Sequence, residues 1–403
     1  MNKFREDERV RDLGIYIHIP FCNSKCAYCD FYSKLPTKKL MNEYTKALCK
    51  HLAEANLKDT EYEVDTIYFG GGTPTVLGDA NLCKIAAAIY DNFMVPDDCE
   101  TTLEANPESV TLPLLKKLYK AGFNRISFGA QSSSDEELME LSRIHTFSQV
   151  EEAVDMAHTA RFTNVSLDLM YGLPGQTMES FRASIKDVIA LSPTHISCYA
   201  LKLEAGTPMA QNVAAYDLPS DDAVADMYLM AVELLLQNGY VQYEISNFAK
   251  PGFESKHNRK YWNMSEYWGF GPSAHSFMNK LRFSYIADTE EYIDGVLNGG
   301  VIIDSSESAN AGERAGEYLM LALRTTNGIS AKILEKKYLT YFDEIEKCML
   351  KFHKLGLADF DGTNWRLTPK GFLVSNTIIT DVLIALEKSR GVVNRSNIYN
   401  KIV

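Results

Sequence analysis

The chain has 403 residues, 46% of them apolar, enough for the core of one large domain and a smaller one. Its formal charge of -12 argues against a binder of phosphate backbones, whose footprint is a basic patch and usually a high pI, so no nucleic-acid partner is expected. No run of about 18 or more apolar residues occurs, and residues 1–11 are dense in charge where a signal peptide needs an apolar stretch, which predicts a soluble, cytoplasmic protein with at most peripheral membrane contact.

Short β-branched and aromatic runs recur at 15–19, 66–69, 101–103, 125–128, 164–167 and 195–199, with helical stretches such as 42–55, 112–121, 148–160 and 178–190 between them. That alternation implies parallel strands with right-handed crossovers, hence an α/β protein built on a full or partial TIM-type (β/α) barrel. In such a barrel the loops after the strands gather at one end and form the active site. Here they carry the unusual residues: cysteines after the first strand, Gly70-Gly71-Gly72-Thr73-Pro74 after the second, Glu104 with Asn106 at the third, Gln131 after the fourth, and Asp168 leading into Tyr171-Gly172-Leu173-Pro174 at the fifth.

The texture then changes. Residues 261–277 are rich in aromatics, with Gly269 and Gly271, and are expected to form loops. Apolar residues recur at helical spacing over 313–324, and further helices are expected at 332–337 and 342–355. Residues 357–360, a turn at Asp361-Gly362, and 365–367 predict a hairpin, and Pro369-Lys370-Gly371 leads into another helix, a winged-helix-like α+β pattern. Three regions follow: a barrel over 1–250, a connecting segment over 251–310 and a C-terminal domain over 311–403. The last carries 14 Lys and Arg against 10 Asp and Glu, while the preceding 310 residues carry 27 against 43, which supports the boundary near 310.

Of the eight cysteines, three are clustered as Cys22-x-x-x-Cys26-x-x-Cys29; the other five are scattered among apolar or helical stretches and read as small buried hydrophobes. A disulfide framework is not expected in a reducing compartment. Three thiolates without a fourth, since position 31 is Phe, can hold three irons of a cubane cluster and leave the fourth iron open. A structural zinc with His18 as fourth ligand is the alternative, although such sites usually close with paired C-x2-C spacings.

Residues 16–31, YIHIPFCNSKCAYCDF, resemble the radical S-adenosylmethionine family, and within it the oxygen-independent coproporphyrinogen III oxidase group. The resemblance continues through 70–75, 104–107, Gln131-Ser132, 168–176 and the C-terminal module, so it covers nearly the whole chain. It implies a four-iron four-sulfur (4Fe-4S) cluster on Cys22, Cys26 and Cys29, with S-adenosylmethionine chelated to the open iron. By the same resemblance Gly71, Gly72 and Thr73 touch the methionine end, Glu104 accepts from the ribose hydroxyls, and Tyr16 lies beside the nucleoside or the cluster. Gln131, Arg143 and Asp168 correspond to residues that position a second S-adenosylmethionine, with Tyr28 close by. Each also has an ordinary reading: a strand-to-helix turn for the glycines, a surface carboxylate for Glu104, a core aromatic for Tyr16, and barrel-rim pairs for the rest.

The oxidases of this group carry a further cysteine two residues after the third ligand and a longer N-terminal stretch. Here position 31 is Phe31 and 21 residues precede Cys22; both departures match the related HemW-type heme chaperones. His257-Asn258-Arg259-Lys260-Tyr261-Trp262 resembles the HNxxYW motif of that group, which implies heme as cargo, with His257 the axial ligand candidate and Tyr261, Trp262, Tyr267 and Trp268 an aromatic wall. Read without the resemblance, the segment is a histidine packed among aromatics between domains. The resemblance therefore implies heme binding and delivery to an acceptor protein, with radical decarboxylation of the porphyrinogen substrate as the alternative. RNA modification is a third class, disfavoured by the acidic barrel.

Overall fold

Six strands follow one another through the first half of the chain: β1 (Arg11–Ile19), β2 (Tyr62–Gly71), β3 (Glu100–Ala105), β4 (Arg125–Gln131), β5 (Asn164–Tyr171) and β6 (His195–Ala200). They lie side by side in sequence order, each neighbouring pair parallel. The crossovers are α1 (Lys38–Glu54), α2 (Asp79–Asn92), α3 (Leu112–Lys120), α4 (Asp135–Glu140) with α5 (Phe147–Thr159), and α6 (Met178–Ala190). Hydroxyl side chains cap four of these helices: Thr37, Thr111, Ser134 and Thr177 each accept from a first-turn backbone N–H. This computed structural model describes residues 10–389; the charged N-terminus before residue 10 and residues 390–403 of the C-terminal domain lie outside the described residues.

Strand periodicity separates core from site. Leu13, Ile15, Ile17 and Ile19 of β1 are fully buried in the apolar core, so Gly14, Tyr16 and His18 face the other side of the sheet. The same alternation along β4 and β6 turns Arg125, Ser127, Gly129 and Gln131, and His195, Ser197 and Tyr199, toward one cavity.

After α7 (Pro208–Gln211) and α8 (Asp221–Gln237), the short β7 (Val241–Gln242) and β8 (Asn247–Ala249) add to β6 in antiparallel fashion. The aromatic segment predicted as loops is ordered instead: α9 (Lys256–Trp262), β9 (Tyr267–Phe270) and β10 (His275–Met278), followed by β11 (Leu281–Tyr285), α10 (Thr289–Asn298) and β12 (Ile303–Ser308). β9 pairs in parallel with β1 on one side and antiparallel with β10 on the other, so the aromatic residues that suggested loops instead sit on a half-buried strand inside the sheet. Gly269 is needed there because a Cβ would come within 2.3 Å of the His275 carbonyl oxygen. The sheet runs β12-β11-β10-β9-β1-β2-β3-β4-β5-β6-β8-β7, an open order, so the barrel is partial.

The C-terminal module holds α11 (Ala311–Ala322), β13 (Ile329–Ser330), α12 (Ala331–Tyr338), α13 (Asp343–Lys354), β14 (Ala358–Phe360), β15 (Asn364–Leu367), α14 (Pro369–Leu373) and α15 (Ser375–Ser389), with an antiparallel sheet in the order β13-β15-β14. Asp361 Oδ1 accepts from the N–H groups of Thr363 and Asn364, and Gly362 has φ +95°, which fixes the predicted hairpin turn. Backbone bonds tie the module to the barrel: Ile245 N to the Arg324 carbonyl (2.9 Å) and Thr326 N to the Tyr243 carbonyl (3.1 Å). No helix among the described residues is long and apolar enough to cross a membrane.

Candidate functional site

A cavity of about 400 Å³ opens where the loops after the parallel strands meet. Cys22, Cys26 and Cys29 border it as free thiols, with Tyr28 between the last two. Gly71 and Gly72 bring the chain after β2 close beneath them. Gly71 has φ +108°, and a Cβ there would strike the His18 ring at 2.6 Å; a Cβ on Gly72 would lie 2.6 Å from the Phe21 carbonyl oxygen and 3.0 Å from Cys22 Sγ. Thr73 Oγ1 lies 3.6 Å from Cys22 Sγ and accepts from Asn106 Nδ2 (3.1 Å).

The next strands contribute charge. Glu104 accepts from Tyr68 Oη (2.7 Å) and Gly71 N (3.2 Å), yet burial pushes its carboxyl up to about 7. Gln131 follows a register shift in β4 and has φ +66°, a left-handed conformation uncommon for a residue with a side chain, as is typical where a bulge re-aims a functional group. Arg143 donates from Nη1 to Cys26 Sγ (3.4 Å) and from Nη2 to Asn106 Oδ1 and the Gly129 carbonyl (both 2.8 Å). Asp168 accepts from Ser127 Oγ (3.2 Å), and burial raises its carboxyl above the ordinary range.

The sequence-predicted residues thus converge, except two. Tyr16 and His257 do not line the cavity; they form a layer behind it. Tyr16 Oη lies 3.0 Å from His18 Nδ1, and its ring stacks on Tyr68 with centroids 6.3 Å apart. His257 is fully buried, its Nδ1 2.9 Å from Thr66 Oγ1 and its Nε2 2.8 Å from Tyr261 Oη. Burial, with Lys260 and Arg125 nearby, pushes its pKa down to about 3. In this structure both ring nitrogens of His257, the expected axial heme ligand, are engaged by hydroxyls, and the ring is not among the residues that line the cavity. The motif residue that does line it is Asn258, which sequence reasoning passed over, as it did Arg125, His195 and Tyr199. The period-2 alternation of β4 and β6 was the available signal for three of them.

The donor set fits an iron–sulfur cluster. Three thiols border one cavity, no other cysteine among the described residues lines it, and Arg143 Nη1 lies 3.4 Å from Cys26 Sγ. His18, the alternative fourth zinc ligand, is engaged with Tyr16 and, through Nε2, lies 3.4 Å from the Tyr32 carbonyl. Among the described residues no group of three or more His, Cys, Asp and Glu side chains closes around a single metal ion.

Comparison with known proteins gives this geometry a family context. The model of the radical SAM superfamily matches residues 16–188, and that of the HemN C-terminal domain matches 310–374. The chain is 35% identical to the heme chaperone HemW of Bacillus subtilis over 90% of its length and 97% of the relative's, and 30% identical to that of Escherichia coli over 92% and 98%. The structure of coproporphyrinogen III oxidase (HemN) from Escherichia coli, described as a radical SAM enzyme, superimposes with a TM-score of 0.80 at 24% identity, covering 93% of this chain and 90% of that one; the likeness is one of fold.

Proposed function

The chain belongs to the HemW heme chaperone family within the radical SAM superfamily, and from that premise we propose that it binds heme and passes it to an acceptor protein. The observation that carries the reading is the aromatic lining of the cavity. Phe31, at the position where the sequence reading looked for an oxidase cysteine, is 63% exposed, and Tyr199 is 41% exposed; both line the cavity. Two exposed aromatic side chains beside a polar interior suit a flat apolar macrocycle with polar edges.

Along the rest of the cavity the chain's own groups suit the cofactors of the superfamily. Cys22, Cys26 and Cys29 are the ligands for a 4Fe-4S cluster, Gly71 to Thr73 admit the backbone to the methionine end of S-adenosylmethionine, and Glu104 accepts from its ribose. Gln131, Arg143 and Asp168 face the remaining volume and are the polar contacts for what lies there, with Tyr28 against them. When bound, cluster and S-adenosylmethionine supply one-electron chemistry. The test is anaerobic reconstitution of the full chain, heme titration followed by absorbance, and a parallel assay with coproporphyrinogen III. Stoichiometric heme binding without protoporphyrinogen is the expected outcome. Conversion of coproporphyrinogen III would replace this reading with the oxidase.

A further inference from the structure

The interior of the cavity holds a cation whose hydrogen-bonding capacity is unengaged. Arg125 is 1% exposed, lines the cavity, and its Nε has no hydrogen-bond partner among the described residues. Neither do its terminal nitrogens donate to any described side chain or carbonyl, and no carboxylate lies within ion-pair distance, although Glu100 and Asp168 balance its charge from farther away. Those acids are engaged elsewhere: Glu100 accepts from the backbone N–H groups of Lys256 and His257, and Asp168 accepts from Ser127. Arg143 also leaves its Nε unpartnered, but its terminal nitrogens are bonded to Cys26, Asn106 and Gly129, whereas those of Arg125 are not bonded.

Arginine cannot shed its proton in a protein, and a buried charge without hydrogen bonds is strongly unfavourable. A guanidinium held at such a place, facing a cavity, therefore calls for an acceptor from outside the chain, and its planar fork matches a carboxylate through two parallel bonds. Asn258 lines the same cavity with a carboxamide that has no hydrogen-bond partner among the described residues, and can donate to the same group. It is carried there by α9, which is fixed to β2 and β3 through His257 and Glu100.

We infer that Arg125, assisted by Asn258, is a carboxylate seat inside the cavity, distinct from the thiols and from the Glu104 edge. The seat rests on the reading above that the cavity receives a ligand, and it assigns one. The carboxylate is either a propionate of the tetrapyrrole or the amino-acid carboxylate of an adenosyl ligand. His257 is then a positioning residue that holds the helix bearing Asn258.

The experiment uses anaerobically reconstituted full-length protein and two ligand pairs: heme against heme dimethyl ester, and S-adenosylhomocysteine against 5′-methylthioadenosine, which lacks the amino-acid portion. Arg125→Met is expected to weaken the carboxylate-bearing member of one pair roughly tenfold to a hundredfold while leaving its neutral partner within about twofold. Because Arg125 is buried and its variant can misfold, Asn258→Asp at a half-buried position serves as a second probe. Its added negative charge should weaken the same carboxylate ligand and spare the neutral one. An effect confined to the heme pair identifies the propionate, and one confined to the adenosyl pair identifies the amino-acid carboxylate. Heme binding with no carboxylate dependence in either pair overturns the seat and leaves the heme reading standing. Adenosyl binding that depends on Arg125, with no heme binding, supports the seat and removes the heme reading. No carboxylate-dependent binding of any probe overturns the seat outright.

Discussion

Replacing His257 by Ala separates the two roles open to this imidazole. The ring is fully buried, bridges the hydroxyls of Thr66 (2.9 Å) and Tyr261 (2.8 Å), and stacks on Tyr68 with centroids 5.2 Å apart. Its removal leaves two hydroxyls without partners, at about 1–3 kcal/mol each. It also opens a void between Tyr68 and Tyr261 of the kind that costs about 2–5 kcal/mol in large-to-small core changes. The two contributions overlap, so a loss on the order of 4–6 kcal/mol is expected, a large share of the roughly 5–15 kcal/mol that holds a typical domain together. Urea unfolding under anaerobic conditions should show the loss as a lower midpoint. Heme titration of the fraction that remains folded should give a Soret band at the wild-type position, since the imidazole does not line the cavity. A variant as stable as wild type whose Soret band has vanished or shifted would refute the argument and restore His257 as the axial ligand.

Cys26→Ala removes one corner of the thiol set, and iron and sulfide analysis after reconstitution should find no intact four-iron cluster; four irons per chain in this variant would place the cluster elsewhere. Glu104→Ala should weaken S-adenosylmethionine binding roughly tenfold to a hundredfold through loss of a charge-assisted contact, and equilibrium dialysis giving an unchanged affinity would remove Glu104 from the ribose site. Glu244 is 1% exposed, one of its oxygens lacks a partner, and burial pushes its carboxyl up to about 7 from an ordinary 4.5. The folded state therefore holds this proton more tightly than the unfolded chain, and the associated stability, full below about pH 4.5, is lost as pH rises through 7. The stability of Glu244→Gln relative to wild type should improve between pH 5 and pH 8 by up to about 3 kcal/mol, and a pH-independent difference in denaturation midpoints would contradict the assignment.

Much of this protein is written locally in its sequence. The strand runs at 15–19, 125–128 and 164–167 carry their own β-branched and aromatic signal, and each lies inside a strand of the structure because these side chains favour a pleated surface whatever packs on it. The cysteine spacing, the glycine triplet and Glu104 are equally local, since each lies at or just past the end of a strand, where a partial barrel gathers its chemistry at one rim. Residues 261–277 were not legible in the same way. Their glycines and aromatics suit a loop as well as a strand, and only the pairing of β9 with β1, on residues more than 250 positions apart, decides the matter. The HNxxYW segment is the sharpest case, because its residues name an imidazole and a carboxamide one position apart. On a helix neighbouring side chains point in different directions, about 100° apart, so one of the two must turn away from the cavity. Sequence supplies both groups. The docking of α9 against Thr66 and Glu100 turns His257 into the core and leaves Asn258 at the cavity wall, a choice made by contacts among segments that the chain brings together only on folding.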